Sequence, residues 1–305
     1  MNMKNRSRLV MVIVCSACFA IIWGMYSSGL TFEAWGGIVE VPVGDRYNKS
    51  VKPFLTIDGN LSLKTFIWWK SLQRERGNLK QFKVAKERLF KIFPSRPVVT
   101  ERHPDRCQTC AVVGNSGNLI GTHYGRQIDT NDIVIRMNFG KTAGYEGDVG
   151  TKTTHRVMYP ESAMDLDNNT HLVLFPFKIL DLQWIAEAFT TGVHGRSYAP
   201  VKTKIKANKN LVLVVNPGFM KYVHTSWLLN RGRYPSTGFM TLVLAMHICD
   251  EVNVFGFGAD KNGNWNHYWE VLHDKHLKTG VHPGTYEYNL IQELAKQNKV
   301  TFNRG

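Results

Sequence analysis

Acidic residues are scarce in this 305-residue chain, where 24 Asp and Glu stand against 38 Lys and Arg for a formal net charge of +14. Cysteine is scarcer still, with five copies. Charge is absent altogether between Arg8 and Glu33, and no internal repeat, low-complexity tract or complete GxGxxG occurs anywhere. The missing GxGxxG argues against a soluble dinucleotide-dependent oxidoreductase. The missing charge excludes an ordinary soluble N-terminus. The run from Leu9, LVMVIVCSACFAIIWGMYSSGLTF, is long enough to cross the ~30 Å of a bilayer core. A cleaved signal peptide has a shorter apolar core of roughly 7–15 residues. Ser27 and Gly29 supply small residues at the exit, yet the length favours an uncleaved signal anchor. Lys4, Arg6 and Arg8 precede the span and hold the N-terminus in the cytoplasm. The expected organisation is a cytoplasmic tail over 1–8, a transmembrane helix over 9–30, a stem over 31–64 and a lumenal domain over 65–305.

A lumenal domain does not meet nucleic acid, the usual partner of so basic a chain. An anionic small molecule or a glycan fits better, because positive surface raises the local concentration of negative substrates. The densest basic run, KTKIKANK from Lys202, alternates charged and uncharged residues and reads as a solvated edge.

Cys15 and Cys18 fall inside the apolar run, which leaves Cys107, Cys110 and Cys249 in an oxidising lumen. Three cysteines form one bridge and leave one thiol over. The stretch CQTCAVVGNSGNLIGTHY from Cys107 admits three readings: a redox CxxC, half a zinc site, or a nucleotide cradle. A zinc site wants four ligands and a second cysteine pair. A redox motif wants the Trp-Cys-Gly-Pro context of a thioredoxin-like site, which is missing. Gly114-Asn115-Ser116-Gly117 directly follows an apolar AVV segment, where a Rossmann-like sheet binds ligand. Glycine lets backbone approach a phosphate, and N–H groups at a following helix start hold it. A purely structural turn would look the same.

Residues 33–62 are mixed, with four glycines, two prolines and the sequons at Asn48 and Asn60. From Leu61 to Phe93, apolar residues at helical spacing predict one or two amphipathic helices. Short apolar runs follow: AVVG, DIVIRMN, HLVLFPF, NLVLVVNP and EVNVFGFG. They alternate with helical segments such as LQWIAEAF and TGFMTLVLAMHI, and that alternation predicts an α/β fold with a largely parallel sheet.

Four segments then occur in order: CAVVGNSGNL with IVIRMNFGKTAGYEGDVGTKTTHRVMYPES, RYPSTGFMTLVLAMHICDEVNVFGFGAD, HYWE and HPGTYE. They resemble the successive sialylmotifs of animal sialyltransferases, over roughly residues 65–305. The nearest likeness is to the β-galactoside α-2,3-sialyltransferases that act on Galβ1,3GalNAc. The resemblance implies a variant GT-A (Rossmann-like) domain in a Golgi type II membrane protein. It also implies CMP-N-acetylneuraminic acid as donor, a galactose-terminated glycoprotein or glycolipid as acceptor, and neither cofactor nor metal.

Residue by residue, the resemblance places Asn115, Ser116 and Asn138 on the CMP ribose and phosphate. Tyr234, Ser236, Thr237 and Gly238 would close around phosphate and cytidine. Gln73 and Tyr198 match positions near the acceptor sugar, though packing roles serve both equally. His282 is the expected general base, and His267 the group that meets the departing phosphate. Cys110 resembles the family cysteine that pairs with the one here at Cys249, tying the donor turn to the opposite side of the site. Cys107 then stays free or joins two chains in a homodimer. Asp165-Leu166-Asp167 is a DxD, the metal signature of many nucleotide-sugar transferases, but it lies beside the sequon at Asn168 in an expected exposed loop. Departing CMP is a monophosphate and needs metal less than a diphosphate does. The alternatives are another sialyl linkage, α-2,6 to GalNAc or α-2,8 to sialic acid, or an inactive glycan- or nucleotide-binding membrane protein.

Overall fold

The computed structural model describes residues 41–97, 106–194, 200–271 and 279–305. The tail, the span over 9–30 and Tyr198 lie outside the described residues. Among the described residues, no helix is long and apolar enough to cross a membrane.

Among the described residues, seven strands form one sheet in the order β5-β4-β3-β2-β1-β6-β7. They are β1 (Thr109–Val113), β2 (Ile133–Met137), β3 (His155–Met158), β4 (His171–Leu174), β5 (Val212–Val214), β6 (Glu251–Phe255) and β7 (Thr301–Asn303). Every neighbouring pair is parallel. Parallel strands are covered on both faces, so both sets of alternating side chains are buried. In β1, Cys110 and Val112 join the larger core, while Ala111 and Val113 point into a smaller one with Leu119, Ile128 and Phe255.

Among the described residues the α-helices are α1 (Leu63–Leu72), α2 (Leu79–Leu89), α3 (Gly125–Asp129), α4 (Glu146–Val149), α5 (Ile179–Ala188), α6 (Pro217–Tyr222), α7 (Thr237–Ile248) and α8 (Gly284–Lys296). The helical pattern after Leu61 resolves into α1 and α2, each capped by a side chain. Ser62 accepts from the Thr65 N–H, and Asn78 from the Gln81 N–H. All five expected strand segments are strands, and TGFMTLVLAMHI is α7 in full. The strands β3 and β7 carry no signal of the expected kind. His155 and Arg156 interrupt the apolar run in β3, and β7 is a three-residue strand at the sheet edge.

The expected stem over 31–64 is described in part, from residue 41. The compact unit begins at Val43, because the segment before α1 packs onto the domain. Buried Arg46 donates to the Trp227 carbonyl at 2.6 Å, and Phe54 is 4% exposed and bridges to Val215.

Cys110 and Cys249 form a disulfide with a Cα–Cα distance of 5.9 Å across a separation of 139 residues. On chain-entropy grounds such a loop contributes about 4–5 kcal/mol. Its position departs from expectation. Cys110 is near the start of β1 and Cys249 ends α7, whereas the cavity lies at the end of β1 and the start of α7. The bridge therefore fastens the backs of these elements rather than spanning the site. Cys107 is exposed and free. The sequon residues Asn48, Asn60 and Asn168 are all exposed.

Candidate active site

The strand order runs outward from β1 in both directions, to β2 on one side and β6 on the other. The loops that leave β1 and β6 must therefore part in opposite directions and leave a crevice at their carboxyl ends. A cavity of about 310 Å³ occupies this place. Its floor is two glycine turns in contact. Gly114 follows β1 and donates its N–H to Phe255 O at 2.8 Å, and Ser116 N–H donates to Gly256 O at 3.1 Å. A Cβ on Gly114 would stand 2.1 Å from Gly256 O, so only glycine allows this approach. Ser116 Oγ accepts from the Asn118 N–H at 3.1 Å and caps a single 3-10 turn rather than a long helix.

Asn115, Ser116, Asn138, Ser236, Thr237, Gly238, His267 and His282 all line this cavity. They come from five separate segments. Asn138 directly follows β2 in the left-handed region, at φ 51°. Ser236 caps α7, its Oγ accepting from the Phe239 N–H at 3.1 Å. Its own N–H donates to the Glu287 carboxylate of α8 at 2.7 Å. Glu287 lines the same cavity, and burial pushes its carboxyl up to about 7. Tyr234 is not among the lining residues; its ring stands edge-on to His282 with centroids 4.9 Å apart and packs on Phe177. Gln73 is the C-cap of α1, outside the cavity.

The two histidines are held differently. His282 is half-buried, and its Nδ1 lies 3.0 Å from Tyr234 O. A carbonyl can only accept, so Nδ1 carries the proton and Nε2 keeps its lone pair. Burial lowers the imidazole pKa, and the bond to Tyr234 only partly offsets that. His267 is exposed on a segment that bridges antiparallel to Ser116. Its Nδ1 lies 2.7 Å from Glu270 Oε1, and its ring stacks on Trp269 at 4.8 Å and 9°. Burial works to raise the Glu270 carboxyl, but the His267 side-chain and main-chain bonds outweigh it and hold it below its ordinary value.

The description glycosyltransferase family 29 (sialyltransferase) matches residues 55–299. The chain belongs to glycosyltransferase family 29. CMP-N-acetylneuraminate-beta-galactosamide-alpha-2,3-sialyltransferase 1 of Gallus gallus is 48% identical over 264 residues, 85% of this chain and 77% of that protein. The Homo sapiens protein of the same name is 44% identical over 265 residues, 86% and 78% of the two chains. A crystal structure of a mammalian sialyltransferase in complex with Gal-beta-1-3GalNAc-ortho-nitrophenol superposes with a TM-score of 0.80 at 43% identity. It covers 88% of this chain and 96% of that one. The variant GT-A α/β fold expected from the sialylmotifs is the fold of this glycosyltransferase.

The segments that resemble sialylmotifs meet in space although they are scattered in sequence. Residues the sequence reading did not single out also line the cavity: Tyr159, Phe257, Trp265 and Tyr288. The tripeptide Gly256-Phe257-Gly258 is legible in the sequence only as a strand end, yet it forms half the floor. Both aspartates of the DxD lie outside the cavity lining. Asp165 accepts from Lys202 Nζ and the Lys206 N–H, each at 2.8 Å. Asp167 accepts from the N–H groups of Asn169 and Thr170. These carboxylates close a surface loop. Among the described residues, no group of three or more His, Cys, Asp or Glu is arranged to hold a metal ion.

Proposed function

We propose that this enzyme transfers N-acetylneuraminic acid from CMP-N-acetylneuraminic acid, with inversion, to the 3-hydroxyl of galactose in Galβ1,3GalNAc on O-glycans or glycolipids. The observation that carries the mechanism is the 3.0 Å contact between His282 Nδ1 and Tyr234 O, which leaves Nε2 as a base in the cavity. A galactose hydroxyl is a poor nucleophile at neutral pH, and a neutral imidazole takes its proton as the new bond forms. In the same step the bond from the anomeric carbon to the CMP phosphate breaks, and the phosphate oxygen takes the electron pair. His267 meets that charge from the opposite segment. Asn115, Ser116 and Asn138 bind ribose and phosphate, and Ser236, Thr237 and Gly238 close over phosphate and cytidine. Gln73 and Tyr198 are assigned to the acceptor side. No metal takes part in this reading, which the loop-closing bonds of the DxD support.

The same reading places the enzyme in the Golgi membrane as a single-pass type II glycoprotein with a lumenal domain, anchored over 9–30. Cys107, exposed and free, is available to a homodimer.

Product-linkage analysis tests the activity. The enzyme is offered CMP-sialic acid with Galβ1,3GalNAc, Galβ1,4GlcNAc or GalNAc, and products are digested with linkage-selective sialidases. Transfer to the first acceptor in α-2,3 linkage, undiminished in excess EDTA, is expected. An α-2,6 product or exclusive use of GalNAc overturns the linkage, and restoration of a chelated enzyme by Mn²⁺ overturns the metal-free mechanism.

A further inference from the structure

Behind the wall formed by Asn115 and Asn138 lies a buried guanidinium that has no part in the mechanism above. Arg156, second residue of β3, is 6% exposed, and its sheet partner Arg136 in β2 is 1% exposed. Among the described residues no carboxylate bonds to either. Arg136 donates to the carbonyls of Val149 and Lys152 and to the Thr153 hydroxyl. Arg156 Nη1 donates to Asn138 O at 3.2 Å and Gly140 O at 2.9 Å, while its Nε has no partner. A buried charge without a counter-ion is costly to a fold. Burial, with the neighbouring Arg136 charge, lowers the Arg156 pKa to about 10, which leaves it a cation at lumenal pH.

What this cation grips is the turn that carries the two asparagines. Asn138 sits at φ 51°, a region non-glycine residues seldom enter. Its N–H donates to Val157 O at 2.7 Å, and its side-chain Oδ1 accepts from the buried Ser162 hydroxyl at 2.9 Å. With the carbonyl end of the amide held by Ser162, the NH₂ end is what the side chain offers the cavity. Gly140 rests against the other asparagine, since a Cβ there would stand 2.8 Å from Asn115 Oδ1 and 3.5 Å from Arg156 Nη1. Asn115 Nδ2 in turn donates to Met137 O at 3.2 Å. One turn thus sets both asparagines, and Arg156 and Ser162 hold it from behind.

We propose that Arg156 and Ser162 are positioning residues for the donor phosphate, clamping the Asn138–Gly140 turn so that the Asn138 amide nitrogen faces that phosphate above a buried positive charge. This rests on the reading of CMP-sialic acid as donor. A merely structural clamp would affect every ligand of the cavity alike, whereas a phosphate-positioning clamp discriminates CMP from cytidine.

The test is titration calorimetry of the full-length, detergent-solubilised protein with CMP and with cytidine. Arg156→Gln is expected to weaken CMP about tenfold and cytidine less than about twofold, a tenfold change being about 1.4 kcal/mol. Arg156→Lys, which keeps the charge, should stay within about threefold of the parent. Ser162→Ala, a small change that keeps the fold should Arg156→Gln not do so, is expected to lose CMP affinity about fivefold and selectively. Equal losses for CMP and cytidine, or no loss in Ser162→Ala, overturn the inference. A parent protein that binds cytidine but gains nothing from the phosphate overturns the donor reading and this inference with it.

Discussion

His282 and Tyr234, 48 residues apart in sequence, are joined by a hydrogen bond from an imidazole Nδ1 to a main-chain carbonyl at 3.0 Å. That bond selects the tautomer, and burial keeps the ring neutral by lowering its pKa from 6.5. His282→Ala should lose transfer by about 10²-fold or more while binding CMP nearly normally. The acidic limb of the kcat/KM profile should fall below pH 6.5 and vanish in the variant. A folded His282→Ala enzyme with near-normal turnover removes His282 from the role of base.

His267 depends on Glu270. The carboxylate accepts from both the imidazole and the main-chain N–H of His267, at 2.7 and 3.1 Å. Glu270→Gln should weaken CMP binding and slow transfer together, in the same direction as His267→Ala but less, by about tenfold. Steady-state kinetics with CMP as inhibitor measures both. A variant with unchanged CMP inhibition shows that the ring needs no such partner.

Gly114→Ala should destabilise the whole domain. The added methyl would meet Gly256 O at 2.1 Å and its carbonyl carbon at 2.9 Å, and backbone at the end of a buried strand cannot swing aside. Overpacking of this kind costs about 1–3 kcal/mol or more. Chemical denaturation reads the loss, and a stability equal to the parent's would mean that the two turns separate freely.

Glu287 ties stability to pH. Its folded pKa, about 7, is raised from 4.5 by burial, so the folded state holds a proton that the unfolded chain has lost. The stability this adds is fully present below pH 4.5 and disappears as pH rises through about 7. His155 works the other way, its pKa lowered by burial and by His171 to about 3, so that acid weakens the fold below pH 6.5. The readout is therefore a difference. Unfolding free energies of Glu287→Gln minus parent, taken from pH 4.5 to 8, should climb with pH by on the order of 3 kcal/mol. A flat difference shows that Glu287 ionises in the folded protein as it does in water.

The sequence by itself determined the class of fold, most of the strands and the family. Those depend on local information: apolar runs of strand length, glycine turns at their ends and residues at fixed spacing within a motif. Only the tertiary structure decided how the pieces meet. The strand β3 escaped the reading because His155 and Arg156 are polar, and their burial follows from a stacked His171 and from carbonyls that arrive from other segments. Residues 43–62 have the mixed glycine, proline and sequon composition of a stem, with no sign in the sequence of what they pack against. They are ordered instead by long-range partners such as the Trp227 carbonyl for Arg46. Nothing in the local spacing of the motifs could reveal that Cys110 and Cys249 close the far ends of β1 and α7, since a bond's distance from a cavity depends on the direction in which each element runs. The DxD shows the same limit: two aspartates in sequence carry no sign of whether they face a substrate or, as here, a lysine and a turn of main chain. Residue types declare what chemistry is available, and the packing of distant segments declares which of it converges.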